Sequence, residues 1–281
     1  MLRSSSISRK DRITALAIGG FDGMHLAHQQ LISRLEGEGA LLIVEKHFAT
    51  ALTPGEVRCR FAPQIAACFF LDFETIRSMR AERFVDFLAE QFPALRKIVV
   101  GYDFRFGKDR LGDPQMFRRL PGVEVEVVEE QKCDGISVHA DTIRKLLRSG
   151  EVDAANRLLG RPYTIRGEVI SGQGLGTKAL YPTLNIRTQN YLLPREGVYI
   201  TQASLHERTY PALTFIGRRL STDAAFSIET HILDSTITGE VQEVEVRFLS
   251  FLRENRKFDD LKRLKAQIGE DIAAAKAYFT V

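Results

Sequence analysis

The hydrophobic pattern in the first half of the chain alternates between short apolar runs and amphipathic stretches. Apolar runs that predict buried strands occur at residues 15–18, 41–44, 69–73 and 98–100. Residues 81–92 place Phe84, Phe87 and Leu88 at helical spacing, which predicts a helix with one apolar face. This alternation predicts a mostly parallel, doubly wound α/β sheet, in which ligands bind beyond the carboxyl ends of the strands.

The pattern changes after Gly160, because Pro162 prevents the preceding helix from continuing. Short strands separated by turn residues follow at residues 163–170, 197–205, 210–216, 226–233 and 244–249. They predict a small antiparallel β-barrel, with a sandwich as the alternative. A C-terminal helix packs on it through one face, formed by Leu261, Leu264, Ile268 and Ile272. We therefore predict an α/β domain at residues 1–160 and a β domain at residues 161–281.

Composition narrows the classes of partner. With 281 residues, 44% hydrophobic and 27% charged, the chain can bury two cores. The net charge of +3 is dispersed and forms no basic stripe with aromatics, so we expect small-molecule substrates and no nucleic acid. No run of about 18 apolar residues exists, and we expect no membrane span. Weak self-association is left open.

The three cysteines, Cys59, Cys68 and Cys133, are widely spaced and include no C-x-x-C pair. This spacing predicts neither a zinc site nor a redox couple. A reducing cytoplasm is the simplest setting for such a chain.

The strongest candidate for phosphate binding lies between the first strand and the first helix. Gly19 and Gly20 follow the strand, where we expect a Cβ atom to collide with the turning backbone. His25 and His28 come next and share one helix face. Unpaired N–H groups at a helix start attract phosphate, and two imidazole donors add to that attraction. A metal pair and two surface histidines are the alternatives.

A second candidate follows the strand at residues 98–100. Phe104 and Phe106 could present a flat apolar wall to a ring system, while Asp103 and Arg105 supply polar contacts. The alternative is a loop held in place by two buried phenylalanines.

In the second half, Gly172, Gly174 and Gly176 occupy every second position and permit close approach of a phosphate, or simply form a flexible hairpin. Thr183 and Asn185 point to the same side of an extended chain. A hydroxyl and an amide oxygen therefore converge, as Mg²⁺ requires.

The strand at residues 226–233 carries a candidate general base. We expect Phe226, Ile228 and Ile232 to face the core, which places Glu229 on the opposite face. A carboxylate facing bound ATP could accept the proton of an attacking hydroxyl. The alternative is a solvated strand residue.

The first half resembles a known superfamily. The segment G-G-F-D-G-M-H-L-A-H is similar to the G-x-F-D-x-x-H-x-G-H signature of the nucleotidyltransferases, although Ala27 replaces a glycine. The segment from Gly101 to Asp113 resembles a motif of bacterial FAD synthetases, and V-H-A-D-T-I-R resembles their I-S-S-T-x-I-R segment without its serines. The resemblance implies phosphate contacts from Gly20, Phe21, His25, His28 and Arg144. It also implies flavin or nucleotide contacts from Asp103, Phe104, Arg105 and Phe106.

The second half resembles riboflavin kinase through five ordered segments: G-x-G-x-G, P-T-x-N, G-V-Y, E-T-H-x-L-D and R-K-F. This resemblance implies that Thr183 and Asn185 serve Mg²⁺ and ATP, with the glycines of the first segment near the phosphates. It also implies that Glu229 activates the 5′-hydroxyl of riboflavin.

Over its whole length the chain resembles the bifunctional prokaryotic riboflavin kinase and FMN adenylyltransferase family, which makes FAD from riboflavin and ATP. Two alternatives remain open. One is a riboflavin kinase whose first domain has lost activity, as Ala27 and the altered segment at residues 138–141 suggest. The other is a flavin- or nucleotide-binding regulator without either activity.

Overall fold

In the computed structural model, the described residues are 2–4, 10–46, 49–171, 181–221, 223–235, 237 and 240–280. The chain divides into two units, Met1–Ala140 and Asp141–Val281. The strands of the first unit are β1 (Arg3–Ser4), β2 (Ala15–Gly19), β3 (Gly39–Glu45), β4 (Ala67–Asp72), β5 (Lys97–Gly101), β6 (Glu124–Val128), β7 (Lys132–Cys133) and β8 (Ile136–Ser137). Its helices are α1 (Leu26–Ser33), α2 (Phe73–Ile76) and α3 (Ala81–Gln91), with 3₁₀ turns at Lys10–Arg12, Gly55–Phe61, Lys108–Arg110 and Pro114–Arg119.

Five parallel strands form the sheet of the first unit, in the order β4-β3-β2-β5-β6, and β1 adds an antiparallel edge to β4. Successive residues of β2 enter opposite cores: Leu16 and Ile18 pack on one side and Ala17 on the other. Helix α3 covers the first side with Phe84 and Leu88, while α1 covers the second with its own apolar residues. The predicted doubly wound parallel sheet is confirmed.

The second unit begins within α4 (Ala140–Ser149), which is followed by α5 (Val152–Leu159). Its strands are β9 (Tyr163–Ile170), β10 (Leu184–Arg187), β11 (Gly197–Leu205), β12 (Arg208–Arg218), β13 (Phe226–Ile232) and β14 (Glu243–Arg253). They close into an antiparallel barrel in the order β10-β13-β12-β11-β14-β9. The barrel prediction is confirmed over the sandwich, and the C-terminal helix α6 (Leu261–Thr280) follows it.

Residues 141–160 belong to the second unit, whereas the sequence interpretation placed them in the first. The reason lies in the polar contacts of α5. The Asn156 side chain donates to the carbonyl of Phe248 at 2.9 Å and accepts from the Tyr163 amide at 2.7 Å. Ser250 donates to Asp153 at 3.1 Å. Gly160 ends α5 in the left-handed conformation, as its role as a C-cap predicts, but this helix end is not the edge of the unit.

The buried side of α6 differs from its predicted apolar face. Leu261 is half exposed, while Asp271 is only 5% exposed. Arg253 of β14 explains the burial of this carboxylate, because its guanidinium makes three hydrogen bonds of 2.7–3.1 Å to the two Asp271 oxygens. Gln267 adds a fourth bond at 3.0 Å. The ion pair therefore links α6 to β14. The apolar residues Ile272, Ala275 and Phe279 of the same helix pack on the barrel next to it.

We expect Asp271→Ala to destabilise α6 by about 3 kcal/mol, because the substitution leaves the Arg253 charge without its main partner. Native-state hydrogen exchange of peptides from α6 measures this change. Lys276→Ala on the same helix is the matched control. It removes an exposed ion pair with Asp234 and should cost less than about 0.5 kcal/mol. Equal losses in the two variants would contradict the structural role of Asp271.

Cys59 and Cys68 form a disulfide with a Cα–Cα distance of 6.3 Å, and Cys133 lies outside this disulfide. The spacing of the cysteines excluded a C-x-x-C pair but did not indicate this disulfide. Cys59 lies in the 3₁₀ turn Gly55–Phe61, and Cys68 lies in β4, nine residues later. Among the described helices, none combines the length and the apolar character that a membrane crossing requires.

Candidate active sites

The turn between β2 and α1 has an unusual backbone. Phe21 and Met24 have φ values of 50° and 44°, and both side chains are fully buried. The Phe21 ring belongs to the core, so only its backbone remains for phosphate contacts. The predicted collision at Gly19 and Gly20 was wrong: a Cβ on Gly20 would meet no atom within 4 Å. Gly20 is exposed, and the space beside it, where a side chain would stand, is open.

Asp22 fixes this turn to a segment thirty residues later. Its carboxylate accepts hydrogen bonds from the amides of Leu52 and Thr53 at 3.1 and 2.9 Å. The Thr53 hydroxyl accepts in return from the Gly23 amide at 2.8 Å. Asp22 and Thr53 are buried, and the turn is therefore held on both sides. No sequence pattern indicated this clamp, because its members are distant in the chain.

His25 is the N-cap of α1, and His28 lies in the first turn. Their rings stack with centroids 3.6 Å apart, in agreement with the shared face that their spacing predicts. The His28 ring also contacts Phe21 at a centroid distance of 5.0 Å. Nδ1 of His28 is buried and has no hydrogen-bond partner among the described residues.

Burial is the main cause that lowers the pKa of His28 well below its usual value, and positive charge at His25, Arg58 and His139 lowers it further. Arg58 is itself buried and donates from Nε to the Thr53 carbonyl at 2.9 Å. A helix N-terminus, two stacked imidazoles and a buried guanidinium thus lie beyond the carboxyl end of β2. This arrangement suits an anion.

The loop after β5 only partly matches its prediction. Phe106 is buried and stacks on Phe117, with centroids 4.6 Å apart and planes 6° apart. It is therefore a core residue, and the interpretation of its ring as a ligand wall was wrong. A Cβ on Gly107, which has a φ of 71°, would lie 2.8 Å from the Ala81 backbone. That close contact turns Phe106 inward.

The other members of this loop lie nearer the surface. Asp103 and Arg105 are exposed, and Phe104 is half-buried. Phe104 packs on Phe106 and Phe117 with centroid distances of 5.7 and 6.1 Å. These three residues keep the surface position that a ligand contact requires.

Arg144 lies in the first turn of α4, within the second unit. Its Nη1 donates to Asp141 Oδ1 at 2.7 Å. The Asp141 side chain is 86% exposed, and the Arg144 side chain is 13% exposed. The acidic residue that replaces a hydroxyl in this segment therefore pairs with the arginine proposed for phosphate.

The barrel brings two predicted residues together. Asn185 of β10 lies directly opposite Glu229 of β13 in the antiparallel register. Directly opposed residues have Cβ atoms about 4.5–5.5 Å apart and point to the same face of a sheet. Ile228, Thr230 and Ile232 face the buried side, which places Glu229 and Asn185 on the outer face. Phe226 is 47% exposed, so its predicted burial was wrong: the register places it at the open end of β13, opposite Arg218.

Neighbouring side chains contact one of the two carboxylate oxygens of Glu229. Its Oε1 accepts from the Ser227 hydroxyl at 2.8 Å and contacts Nη1 of Arg219 at 3.5 Å. Arg219 is fixed by two bonds to Asp223, at 3.0 and 2.8 Å. No described residue donates to Oε2. With its side chain 23% exposed, Glu229 has one carboxylate oxygen available to a ligand.

Thr183 is half-buried and immediately precedes β10. The preceding Pro182 is anchored to β13, because Nδ1 of His231 donates to its carbonyl at 2.8 Å. The predicted glycines Gly172, Gly174 and Gly176 lie outside the described residues. The alternation along β13 placed His231 on the same face as Glu229 but gave it no role, and no sequence pattern indicated the contact of Arg219 with Glu229.

A separate cleft of 720 Å³ opens on the barrel away from Glu229. Its walls include Arg166, Glu243, Glu245 and Arg247. These charges pair within the wall, Arg166 with Glu243 at 3.0 Å and Arg247 with Glu245 at 2.9 Å. The charged groups of the cleft therefore engage one another, whereas Glu229 keeps one carboxylate oxygen without a donor among the described residues.

Fold and sites together define a two-domain transferase, with an α/β unit of nucleotidyltransferase type and a β-barrel unit of kinase type. Residues 7–142 match the family model described as FAD synthetase, and residues 159–279 match the one described as riboflavin kinase. The chain is 31% identical to the bifunctional riboflavin kinase/FMN adenylyltransferase of Pseudomonas fluorescens, over 92% of this chain and 91% of that protein. It belongs to the bifunctional riboflavin kinase/FMN adenylyltransferase family.

Relatives with the same name occur in Listeria monocytogenes, at 30% identity over 94% of this chain and 92% of that one, and in Escherichia coli K12, at 28% over 94% and 92%. Among solved structures, a crystal structure described as a macrolide-efflux protein from Streptococcus pneumoniae superposes with a TM-score of 0.84 at 23% identity, over 94% of each chain. That similarity shows the fold alone, and the activity in its name belongs to that protein.

Proposed function

We propose that the chain makes FAD from riboflavin in two ATP-dependent steps. The barrel phosphorylates riboflavin to FMN, and the α/β unit transfers an adenylyl group from ATP to FMN with release of pyrophosphate. The opposed pair of Asn185 and Glu229 is the observation that carries the kinase assignment. The stacked histidines at the start of α1 support the adenylyltransferase assignment.

In the kinase step, Glu229 is the general base. Its Oε2 accepts the proton of the riboflavin 5′-hydroxyl while that oxygen attacks the γ-phosphorus of ATP and ADP leaves. Ser227 and Arg219 hold the other oxygen and fix the direction of the carboxylate. Asn185, directly opposite, orients the phosphate side of the reaction.

The side chains at this site fit a magnesium ion. Thr183 and Asn185 offer a hydroxyl and an amide oxygen, which are the hard oxygen ligands that Mg²⁺ prefers, and a carboxylate stands opposite Asn185. When bound with ATP, the ion supplies neutralisation of the phosphate charge. The described residues contain no cluster of three or more His, Cys, Asp or Glu side chains that could hold a metal without the nucleotide.

In the adenylyl step, a phosphate oxygen of FMN attacks the α-phosphorus of ATP, and the bond to the departing pyrophosphate breaks. His25, His28 and the backbone of Gly20 and Phe21 bind the phosphates, because their N–H groups lie where negative charge develops. Asp103, Phe104 and Arg105 contact the flavin or the nucleotide. Arg144 is assigned to phosphate by its resemblance to the family segment.

Neither of the two alternatives is favoured. A kinase with an inactive first unit is the stronger of them, because Ala27 and the pairing of Asp141 with Arg144 depart from the family segments. The clamped turn and stacked histidines nevertheless retain an anion-binding arrangement. A non-catalytic regulator does not require a carboxylate with one oxygen directed to a ligand.

We expect purified full-length protein supplied with riboflavin, ATP and Mg²⁺ to form FMN first and FAD later, as resolved by chromatography. Chelation with EDTA should stop FMN formation, and added Mg²⁺ should restore it. Absence of FMN would contradict the kinase step. If FMN forms but supplied FMN stays unconverted, the first unit is inactive.

We infer that riboflavin, FMN and ATP are the partners of the chain and that it requires no nucleic acid. Its dispersed charge of +3 supports this inference. We also place the chain in the cytoplasm. Self-association is weak in this proposal, since neither half-reaction draws on a residue from a second copy.

A further inference from the structure

A second group of polar side chains lies at the same sheet edge as the histidine pair. Tyr102 is the first residue after β5, and Glu130 is the second after β6. Strands β2, β5 and β6 are consecutive neighbours in the parallel sheet. Because parallel strands are about 5 Å apart and end at one edge, Tyr102 and Glu130 lie beside the start of α1.

Hydrogen bonds join this group to His139. The Tyr102 hydroxyl lies 2.9 Å from Nε2 of His139 and 3.4 Å from Oε1 of Glu130. Glu130 is already engaged: Ser137 donates to its Oε1 at 2.6 Å, and Lys132 lies 3.3 Å from Oε2. The shorter bond of Tyr102 is therefore the one to His139.

The tautomer of His139 determines which of its nitrogens donates. If Tyr102 gives its proton to Nε2, a neutral His139 carries its own proton on Nδ1. If His139 is an imidazolium, both nitrogens are protonated, and Tyr102 accepts from Nε2 and donates to Glu130. Nδ1 is a donor in these two arrangements, whereas a neutral His139 that donates from Nε2 to Tyr102 leaves Nδ1 an acceptor. A phosphate oxygen accepts only from a protonated Nδ1, so a bound phosphate selects the first two arrangements. No described residue hydrogen-bonds Nδ1, and His139 is only half-buried.

Its bond to Tyr102 holds His139 at the sheet edge where α1 begins. The charge of His139 is also among the causes that lower the pKa of His28. In the sequence, His139 stands where the family segment I-S-S-T-x-I-R has its first serine. A hydroxyl donor is thus replaced by an imidazole that Tyr102 orients.

We propose that His139 is a third imidazole donor to the phosphates bound at His25 and His28, and that Tyr102 is its positioning residue. The inference rests on the proposed adenylyltransferase function. It explains how this chain supplies a donor after losing the serines of the segment, and it assigns a role to Glu130 as the partner that engages Tyr102.

The test is FAD formation from supplied FMN and ATP. We expect His139→Ala to lower kcat/KM for ATP about a hundredfold, as for loss of one donor at a developing charge. His139→Ser, which restores a hydroxyl, should retain more activity than His139→Ala. FMN formation from riboflavin by the same preparations should stay within about twofold of the parent protein, since the barrel does not contain His139.

Tyr102→Phe separates positioning from packing. It should lower kcat/KM for ATP about tenfold, the order expected for one hydrogen bond, with the KM for FMN unchanged. If Tyr102 acts through His139, the double variant Tyr102→Phe/His139→Ala should be no worse than His139→Ala alone. Fully additive losses would overturn the positioning role.

The control is His206→Asn in the β11–β12 turn, where asparagine tolerates the φ of 44° and activity should not change. Hydrogen exchange of β2 and β5 peptides checks the fold; if His139→Ala alters it, His139→Phe, which keeps a ring but carries no donor, takes its place. If the parent protein makes no FAD, the proposed function fails. If the parent makes FAD and the folded variant without a donor stays within twofold of it, this inference fails.

Discussion

Glu229→Gln is expected to lower FMN formation from riboflavin about a thousandfold, the scale of general base catalysis. Glutamine keeps the shape of the side chain and a hydrogen bond to Ser227, but it cannot accept a proton from the 5′-hydroxyl. Steady-state FMN production at saturating ATP and Mg²⁺ measures the loss. The KM for ATP should change little, because the removed interaction acts on the reacting hydroxyl.

The same preparation should form FAD from supplied FMN within about twofold of the parent rate. This result is expected because the two reactions belong to different units. Glu168→Gln is the matched control: Glu168 lies on β9, which β10 separates from β13, and it is exposed, with Arg187 as its only charged partner among the described residues. Both rates should be unchanged in it. Equal loss of both activities in Glu229→Gln, or FMN formation within tenfold of the parent, would contradict the assignment.

Local pattern was sufficient to predict the sheet and the barrel. Residues Leu16, Ala17 and Ile18 are all apolar because β2 is buried on both faces, so the run is visible without knowing its neighbours. The alternation of Ile228 and Ile232 similarly placed Glu229 on the opposite face, although Phe226, the third member of that alternation, is exposed. These features depend on a residue and its near neighbours in sequence.

The sequence predictions that were wrong depend on contacts between separate elements of the fold. Asp271 is buried because Arg253 lies across from it, and Phe106 turns inward because Ala81 lies against Gly107. Cys68 bonds to Cys59 in the turn that precedes β4. Each of these contacts joins two different elements, and the periodicity of one element does not specify it.

At the candidate phosphate site, too, the contacts between near neighbours in sequence were predicted and the contacts from other segments were not. The stacking of His25 and His28 follows from a spacing of three residues at a helix start. The contributions of Arg58, Tyr102 and His139 do not, because they reach the site from other strands and loops. The sequence therefore predicts the centre of the site better than its surroundings.

His28→Ala is expected to lower FAD formation from FMN by a hundredfold or more, about the effect of removing one preorganised donor at a transferring phosphate. FMN formation from riboflavin should be unchanged, because the barrel lacks this residue. His206→Asn again serves as the control for loss of a histidine elsewhere. FAD formation at the parent rate in His28→Ala would contradict the role of the histidine pair.

The pH dependence of stability gives an independent measurement on the same residue. Burial first, then the charges of His25, Arg58 and His139, lowers the pKa of His28, whereas an unfolded histidine titrates near about 6.5. Below a pH of about 6.5, the unfolded chain binds a proton at His28 that the folded chain does not bind. The contribution of neutral His28 to the free energy of unfolding is therefore complete above the unfolded pKa, and it is lost as the pH falls toward the lowered pKa of the folded state. Hydrogen exchange of β2 peptides at pH 7.5 and 5.5 should show this loss in the parent protein and a smaller one in His28→Gln. An identical loss in both would show that His28 is not the titrating group, and its neutral state as a donor at pH 7 would then require another explanation than its burial.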